Sequence, residues 1–169
     1  MKAAMENKVT AYLGLGGNLG DAVQTLRSAR KAIGSSPGIR ELACSSLYRS
    51  KPLGPSDQPE YVNAVMAVAT SLEPLELLRT LQGIENAHGR IRTGERWNPR
   101  TLDLDILLYD EITLDSEELT IPHPGIAQRE FVLYPLAEIA PDLYIPKLGW
   151  LRDLIRDCPR RGLRVLAHD

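Results

Sequence analysis

In RTLDLDILLYD, residues 100–110, apolar and acidic residues alternate. Successive side chains of a β-strand point to opposite faces of the sheet. Leu102, Leu104, Ile106 and Leu108 therefore share a face that belongs in a core, and Asp103 and Asp105 share the other. On such a strand the two aspartate Cα atoms stand roughly 6.6 Å apart. Like charges that close repel unless something positive lies between or above them. Two readings fit. One is an exposed strand face with two solvated carboxylates. The other is a site for a hard divalent cation such as magnesium, which takes one or two carboxylates and completes its shell with water and phosphate.

The residues just before this strand bear on that choice. Arg90, Arg92, Arg96 and Arg100 fall among Gly89, Gly94 and Pro99 in a loop of about a dozen residues, long for a compact domain. Arginine density alone describes a solvated loop. A cationic loop leading into paired carboxylates, however, supplies both signs that metal-bound phosphate needs. The chain holds 15 arginines against five lysines, a bias toward the planar fork that suits phosphate and carboxylate. Trp97, in the same loop, either closes over a ring or anchors the loop.

At 169 residues the chain is expected to form a single domain, residues 1–169, burying roughly 70% of the surface its unfolded form exposes. A net charge of −2 gives no global basic field for a nucleic-acid partner. Cys44 and Cys158 match no metal spacing and read as free thiols. The N-terminal MKAAMENKVTAY lacks the apolar stretch of a signal peptide, and no segment approaches the ~18 apolar residues of a membrane span. The expected location is cytoplasmic, with no membrane partner.

Along the chain, Val9–Leu15 reads as a strand running into the turn-rich GLGGNLGD. Asp21 caps a helix whose stripe is Ala22, Leu26, Ala29 and Ile33, ending at Gly34. Residues 39–49 read as one strand and 61–70 as another, separated by a proline-rich loop. Ser71 and Pro74 mark a second helix start, with Leu75, Leu78, Leu81 and Ile84 as its stripe and a stop near Gly89. After the aspartate strand, residues 112–146 read as mostly loop with short helix, and 150–156 as a final short helix. The order is β-α-β-β-α-β. It predicts an α+β, ferredoxin-like sandwich with a four-stranded antiparallel core sheet, helices on one face and extra C-terminal segments. The second face is then free for a site or for those segments.

GLGGNLGD follows a strand and opens a helix, yet its spacing is not G-x-G-x-x-G and it lacks the Lys-Ser/Thr pair of a P-loop. It reads as a tight turn. His123 is held between Pro122 and Pro124. Tyr61 and Asn63 share one strand face, and Phe131 sits in the apolar run REFVLYPL. No RNA-binding motif with strand aromatics is present. A small-molecule binding module and another magnesium nucleotidyl transferase remain as alternatives at this level.

The segments GLGGNLGD, SSLYRSKPLGPSDQPEYVNA, ERWNPRTLDLDILLYD and LTIPHP with REFVLYPLAEIAPDL resemble the 6-hydroxymethyl-7,8-dihydropterin pyrophosphokinase family from about Tyr12 to Leu143. The resemblance implies a ferredoxin-like enzyme that moves the β,γ-pyrophosphoryl unit of ATP to a reduced pterin, giving AMP and the pterin diphosphate for folate synthesis. It implies that Asp103 and Asp105 bind two Mg2+ ions, with ATP as co-substrate and the protein a monomer. It assigns the catalytic set Asp103, Asp105, Arg90, Arg92 and Arg100. The pterin falls to Gly16, Ser50, Lys51, Leu53, Tyr61, Asn63, Trp97 and Phe131. ATP falls to Gln82, Glu85, Arg92, Trp97, Arg100, Ile106, Thr120, His123 and Arg129. The loop bearing Arg90 and Arg92 is the one the family closes over its substrates. Lys51, Thr93, Glu118 and Gly125 depart from residues common in the family, and this bears on substrate contacts rather than on the reaction.

Overall fold

The computed structural model describes residues 8–18, 21–50, 60–89 and 102–167. Strand β1 (Val9–Gly17) buries alternate residues, with Ala11, Leu13 and Leu15 on one face. Helix α1 (Ala22–Gly34) starts where the Asp21 carboxylate accepts the Gln24 N–H at 3.1 Å, and it buries Leu26, Ala29 and Ile33. Both the cap and the stripe were legible in the sequence.

The single strand predicted over 39–49 is two, β2 (Ile39–Cys44) and β3 (Leu47–Ser50). Both pair antiparallel with β4 (Tyr61–Thr70). The break falls at Ser45 and Ser46. The Ser45 hydroxyl accepts the Val65 N–H at 2.9 Å and donates to the Ser46 carbonyl at 2.8 Å, so a side chain stands in for the ladder.

Helix α2 (Pro74–Ala87) does not use Ser71 as its cap. Glu76 reaches back to the Glu73 N–H at 2.9 Å instead. Its buried residues are Leu77, Leu81, Ile84 and Glu85, while Leu75 is 41% exposed. The predicted stripe stepped by threes and precessed around the helix. The observed one steps by four and three and stays on one side.

Strand β5 (Asp103–Tyr109) pairs antiparallel with β1. Tyr12 faces Leu108 and Leu13 faces Ile106, so Leu107 is an extra residue in the ladder. That bulge corrects the predicted face. Leu102, Leu104 and Ile106 join the core under α1 and α2, but Leu107 and Leu108 both enter a second cluster on the opposite side of the sheet.

The main sheet runs β10–β3–β4–β1–β5, with β2 also on β4 and β10 being Arg164–Ala167. The predicted four strands become six because one strand is broken and the C-terminal segment adds another. The ferredoxin-like order survives within it. The stretch predicted to be mostly loop is better ordered than expected. It holds the pair β6 (Leu114–Asp115) and β7 (Thr120–Ile121), a 3-10 turn (Ile126–Gln128), helix α3 (Glu130–Ile139), the pair β8 (Tyr144–Ile145) and β9 (Gly149–Trp150), and α4 (Leu151–Arg156). Pro135 lies inside α3, where proline ordinarily penalises a helix. Tertiary burial of Val132, Leu133 and Leu136 against Val65 and Leu107 outweighs that local penalty. Among the described residues no helix is long and apolar enough to cross a membrane.

Candidate active site

The register of the sheet assembles the site. Gly16 faces Asn63 on β4 and Asp103 on β5, and Asn63 faces Tyr48 on β3. One row across four strands therefore reads Tyr48, Asn63, Gly16, Asp103. The next reads Val65, Gly14, Asp105. These residues share the face that Val65 and Leu107 mark as the α3 side. Asn63 and Asp103 stand two strand spacings apart, roughly 10 Å. Between them lie two glycines, so the floor has no side chains. A Cβ at Gly16 would come within 3.0 Å of the Asn63 Oδ1. The predicted strand Val9–Leu15, which already held Gly14, runs two residues further, so Gly16 and Gly17 belong to the strand and not to a tight turn. Gly14 was missed as a site residue. The signal was present, since G-x-G and D-x-D have the same two-residue period and strand pairing sets them side by side.

On the β3–β4 side the Asn63 amide is buried and donates to the Ser50 hydroxyl at 2.8 Å. Its orientation is therefore fixed, with the oxygen toward Gly16. Tyr61, opposite Ser50, and Phe131, on α3, are both half-buried. The Arg129 guanidinium carbon lies 5.8 Å from the Phe131 ring centre. Gly125 makes room for it, as a Cβ there would fall 2.6 Å from Arg129 Nε.

On the β5 side, His123 Nε2 lies 4.0 Å from Asp105 Oδ1, too far for a hydrogen bond. Its backbone N–H donates to the Leu107 carbonyl at 3.0 Å, hanging the Ile121–Ile126 segment on the edge of β5. The Gly125 N–H donates to His123 Nδ1 at 3.1 Å. A neutral ring so held carries its proton on Nε2, facing Asp105. Burial lowers the His123 pKa, Asp105 opposes that shift, and Arg129 adds to it; the net direction is down, so the ring is neutral at pH 7.

Glu85 is 3% exposed and its Oε2 accepts the Leu104 N–H at 2.8 Å. It thereby ties α2 to the outer edge of β5. The Ile106 side chain packs in the first core, so only its main chain can meet a ligand. Gln82 Oε1 accepts from Arg79 at 3.3 Å, and Arg79 in turn pairs with Glu118 on the surface. Thr120 lies on β7, beside β5. Arg90, Arg92, Trp97, Arg100, Lys51, Leu53 and Thr93 lie outside the described residues. The described residues include no group of three or more side chains able to hold a metal. A cation on Asp103 and Asp105 would need water or phosphate oxygens to complete its shell, the ligand set magnesium prefers.

A ring-sized floor, a fixed amide on one side and paired carboxylates on the other suit transfer between an aromatic heterocycle and a polyphosphate. The family model described as 7,8-dihydro-6-hydroxymethylpterin-pyrophosphokinase matches residues 12–141. The chain belongs to this family. Two relatives carrying the name 2-amino-4-hydroxy-6-hydroxymethyldihydropteridine pyrophosphokinase span nearly the same length. The Haemophilus influenzae protein is 51% identical over 148 residues, 88% of this chain and 92% of its own. The Pseudomonas aeruginosa protein is 48% identical over 155 residues, 92% of this chain and 95% of its own. Among solved structures, wild-type HPPK-DHPS of Plasmodium falciparum superposes with a TM-score of 0.71 over 89% of this chain at 17% identity. This chain spans only 43% of that longer one, and the likeness supports the pyrophosphokinase fold alone.

Proposed function

We propose that this chain transfers the pyrophosphoryl group of ATP to the hydroxymethyl oxygen of 6-hydroxymethyl-7,8-dihydropterin, as an ATP-dependent diphosphotransferase of folate biosynthesis. The substrate oxygen attacks the β-phosphorus, the bond from that phosphorus to the α,β-bridging oxygen breaks, AMP leaves, and the hydroxyl proton passes to solvent. The observation that carries this reading is the in-register placement of Gly16 between Asn63 and Asp103, with Gly14 beside Asp105 in the next row.

The pterin lies over the glycines, stacked between Tyr61 and Phe131, with its polar edge read by Asn63 and Ser50 and, by family resemblance, by Lys51 and Leu53. Asp103 and Asp105 would hold Mg2+, two ions by family resemblance, which would supply charge neutralisation for the triphosphate. His123 offers a neutral N–H donor beside Asp105, and Arg129 supplies positive charge. Gln82, Glu85, Thr120 and the Ile106 main chain line the ATP side along the β5 edge. Arg90, Arg92, Arg100 and Trp97 complete that side by family resemblance. Pyrophosphoryl transfer has a loose transition state, so these groups act through position and charge rather than covalent chemistry. The protein works as a cytoplasmic monomer of one domain.

The test is to supply ATP, magnesium and the reduced pterin and to separate the nucleotides. AMP in equal amount to pterin diphosphate is expected. ADP or free pyrophosphate as the main product, or no turnover, would overturn the reading. Asp105→Asn should cut turnover at least 100-fold with an unchanged or higher melting temperature, because it relieves repulsion between neighbouring carboxylates. Near-normal turnover in that variant would remove the metal role.

A further inference from the structure

We propose that Glu138 is a positioning residue for the pterin: its carboxylate ties the helix carrying Phe131 to the strand carrying Ser50 and so sets the width of the slot for the ring. This rests on the pterin site proposed above. Glu138 follows Phe131 in α3 by seven residues, close to two helical turns, so both project from one side of the helix. Its Oε2 accepts the Ser46 N–H and the Ser46 hydroxyl, each at 2.9 Å, and its Oε1 accepts the Tyr48 hydroxyl at 2.5 Å. Ser46 sits at the break between β2 and β3. Tyr48 is the register partner of Asn63, and Ser50, two residues further on the same face, holds the Asn63 amide.

Three hydrogen bonds thus run from the helix side of the slot to its strand side. Glu138 is itself exposed, but Ser46 and Tyr48 are buried, so the three bonds satisfy buried donors and contribute to stability. They also act on distance. Apolar contacts between α3 and the sheet are non-directional, whereas charge-assisted hydrogen bonds fix both length and direction. Burial, reinforced by the bond to Glu138, raises the Tyr48 pKa, so the phenol stays a donor at physiological pH. A ring stacked on both faces needs a gap of roughly 7 Å, two contacts of ~3.5 Å. A displacement of about 1 Å in such an arrangement can cost on the order of 100-fold in rate.

The experiment is steady-state kinetics of AMP formation, with melting temperatures, for Glu138→Ala, Glu138→Gln, Tyr48→Phe and Phe131→Ala. Glu138→Ala should raise the pterin KM about tenfold and leave the ATP KM within twofold. Glu138→Gln, which keeps an acceptor, should recover part of the loss. Tyr48→Phe removes one of the three bonds and should raise the pterin KM about threefold. If Glu138→Ala fails to fold, Tyr48→Phe carries the comparison. A raised pterin KM in Phe131→Ala with normal values in the Glu138 and Tyr48 variants would sink the inference and leave the site standing. A normal pterin KM in Phe131→Ala would remove the site and the inference together. Equal rises in both KM values would make Glu138 a general structural residue.

Discussion

Gly16 contributes to the site by lacking a side chain. It lies in extended backbone with Asn63 on one side and Asp103 on the other. Alanine is compatible with a strand there, but its Cβ would press on the Asn63 carboxamide at 3.0 Å. Gly16→Ala is therefore expected to keep its melting temperature within a few degrees while raising the pterin KM several-fold, as read by kinetics or calorimetric titration. The two aspartates announce themselves in sequence because carboxylates interrupting an apolar alternation are out of place. The glycines do not, because glycine clusters mark turns far more often than flat strand floors. Arg30 and Glu41 make a different residue-scale case. Arg30 grips Glu41 with two bonds of 2.7 and 3.0 Å, joining α1 to β2. The hydrogen bond to Arg30 lowers the Glu41 pKa below its ordinary 4.5, burial opposing it. A depressed acid stabilises the fold above its unfolded pKa, and that contribution is lost as pH falls through the folded value. Glu41→Gln should accordingly melt a few degrees below the parent at pH 7, with the gap closing below pH 4.5. A gap independent of pH would refute the ion pair as its cause.

At the scale of elements, the start of α2 shows where local pattern misleads. Ser71 and Pro74 look like a cap followed by proline in the first turn, yet the chain caps through Glu73 and Glu76. Ser71 is occupied by the strand before it, its N–H donating to the Gly38 carbonyl at 3.1 Å. Ser71→Ala should then change stability by less than about 0.5 kcal/mol, the usual size for a side chain outside a cap. Glu76→Ala should cost about 1 kcal/mol, lowering the melting temperature by roughly 2–4 °C. Differential scanning calorimetry of the two variants separates these assignments, and the reverse order would restore Ser71 as the cap. The bulge at Leu107 had no local signal at all. Leu-Leu within a strand is compatible with regular alternation, and only pairing with β1 reveals the extra residue.

For the whole molecule, one sheet serves two clusters. β4 and β5 supply Val62, Ala64, Leu104 and Ile106 to the first, and Val65, Leu107 and Leu108 to the second. Strands shared in this way couple the two halves, so urea unfolding should follow one transition, coincident by far-UV circular dichroism and by tryptophan fluorescence. Two separated transitions would show that the C-terminal layer folds on its own. Periodicity in the chain was sufficient for the strands and helices up to β5, save the break between β2 and β3, for the ferredoxin-like class and for placing Asp103 and Asp105 on one strand, because those depend on neighbours a few residues apart. The glycine floor, the six-stranded extent of the sheet, the face change at Leu108 and the Glu138 tie join residues far apart in the chain: Gly16 and Asn63 are 47 positions apart, Ser46 and Glu138 92, and Arg49 and Arg164 115. Such contacts are set by strand register and by which apolar surfaces can be buried together, and these exist only once the chain has closed on itself.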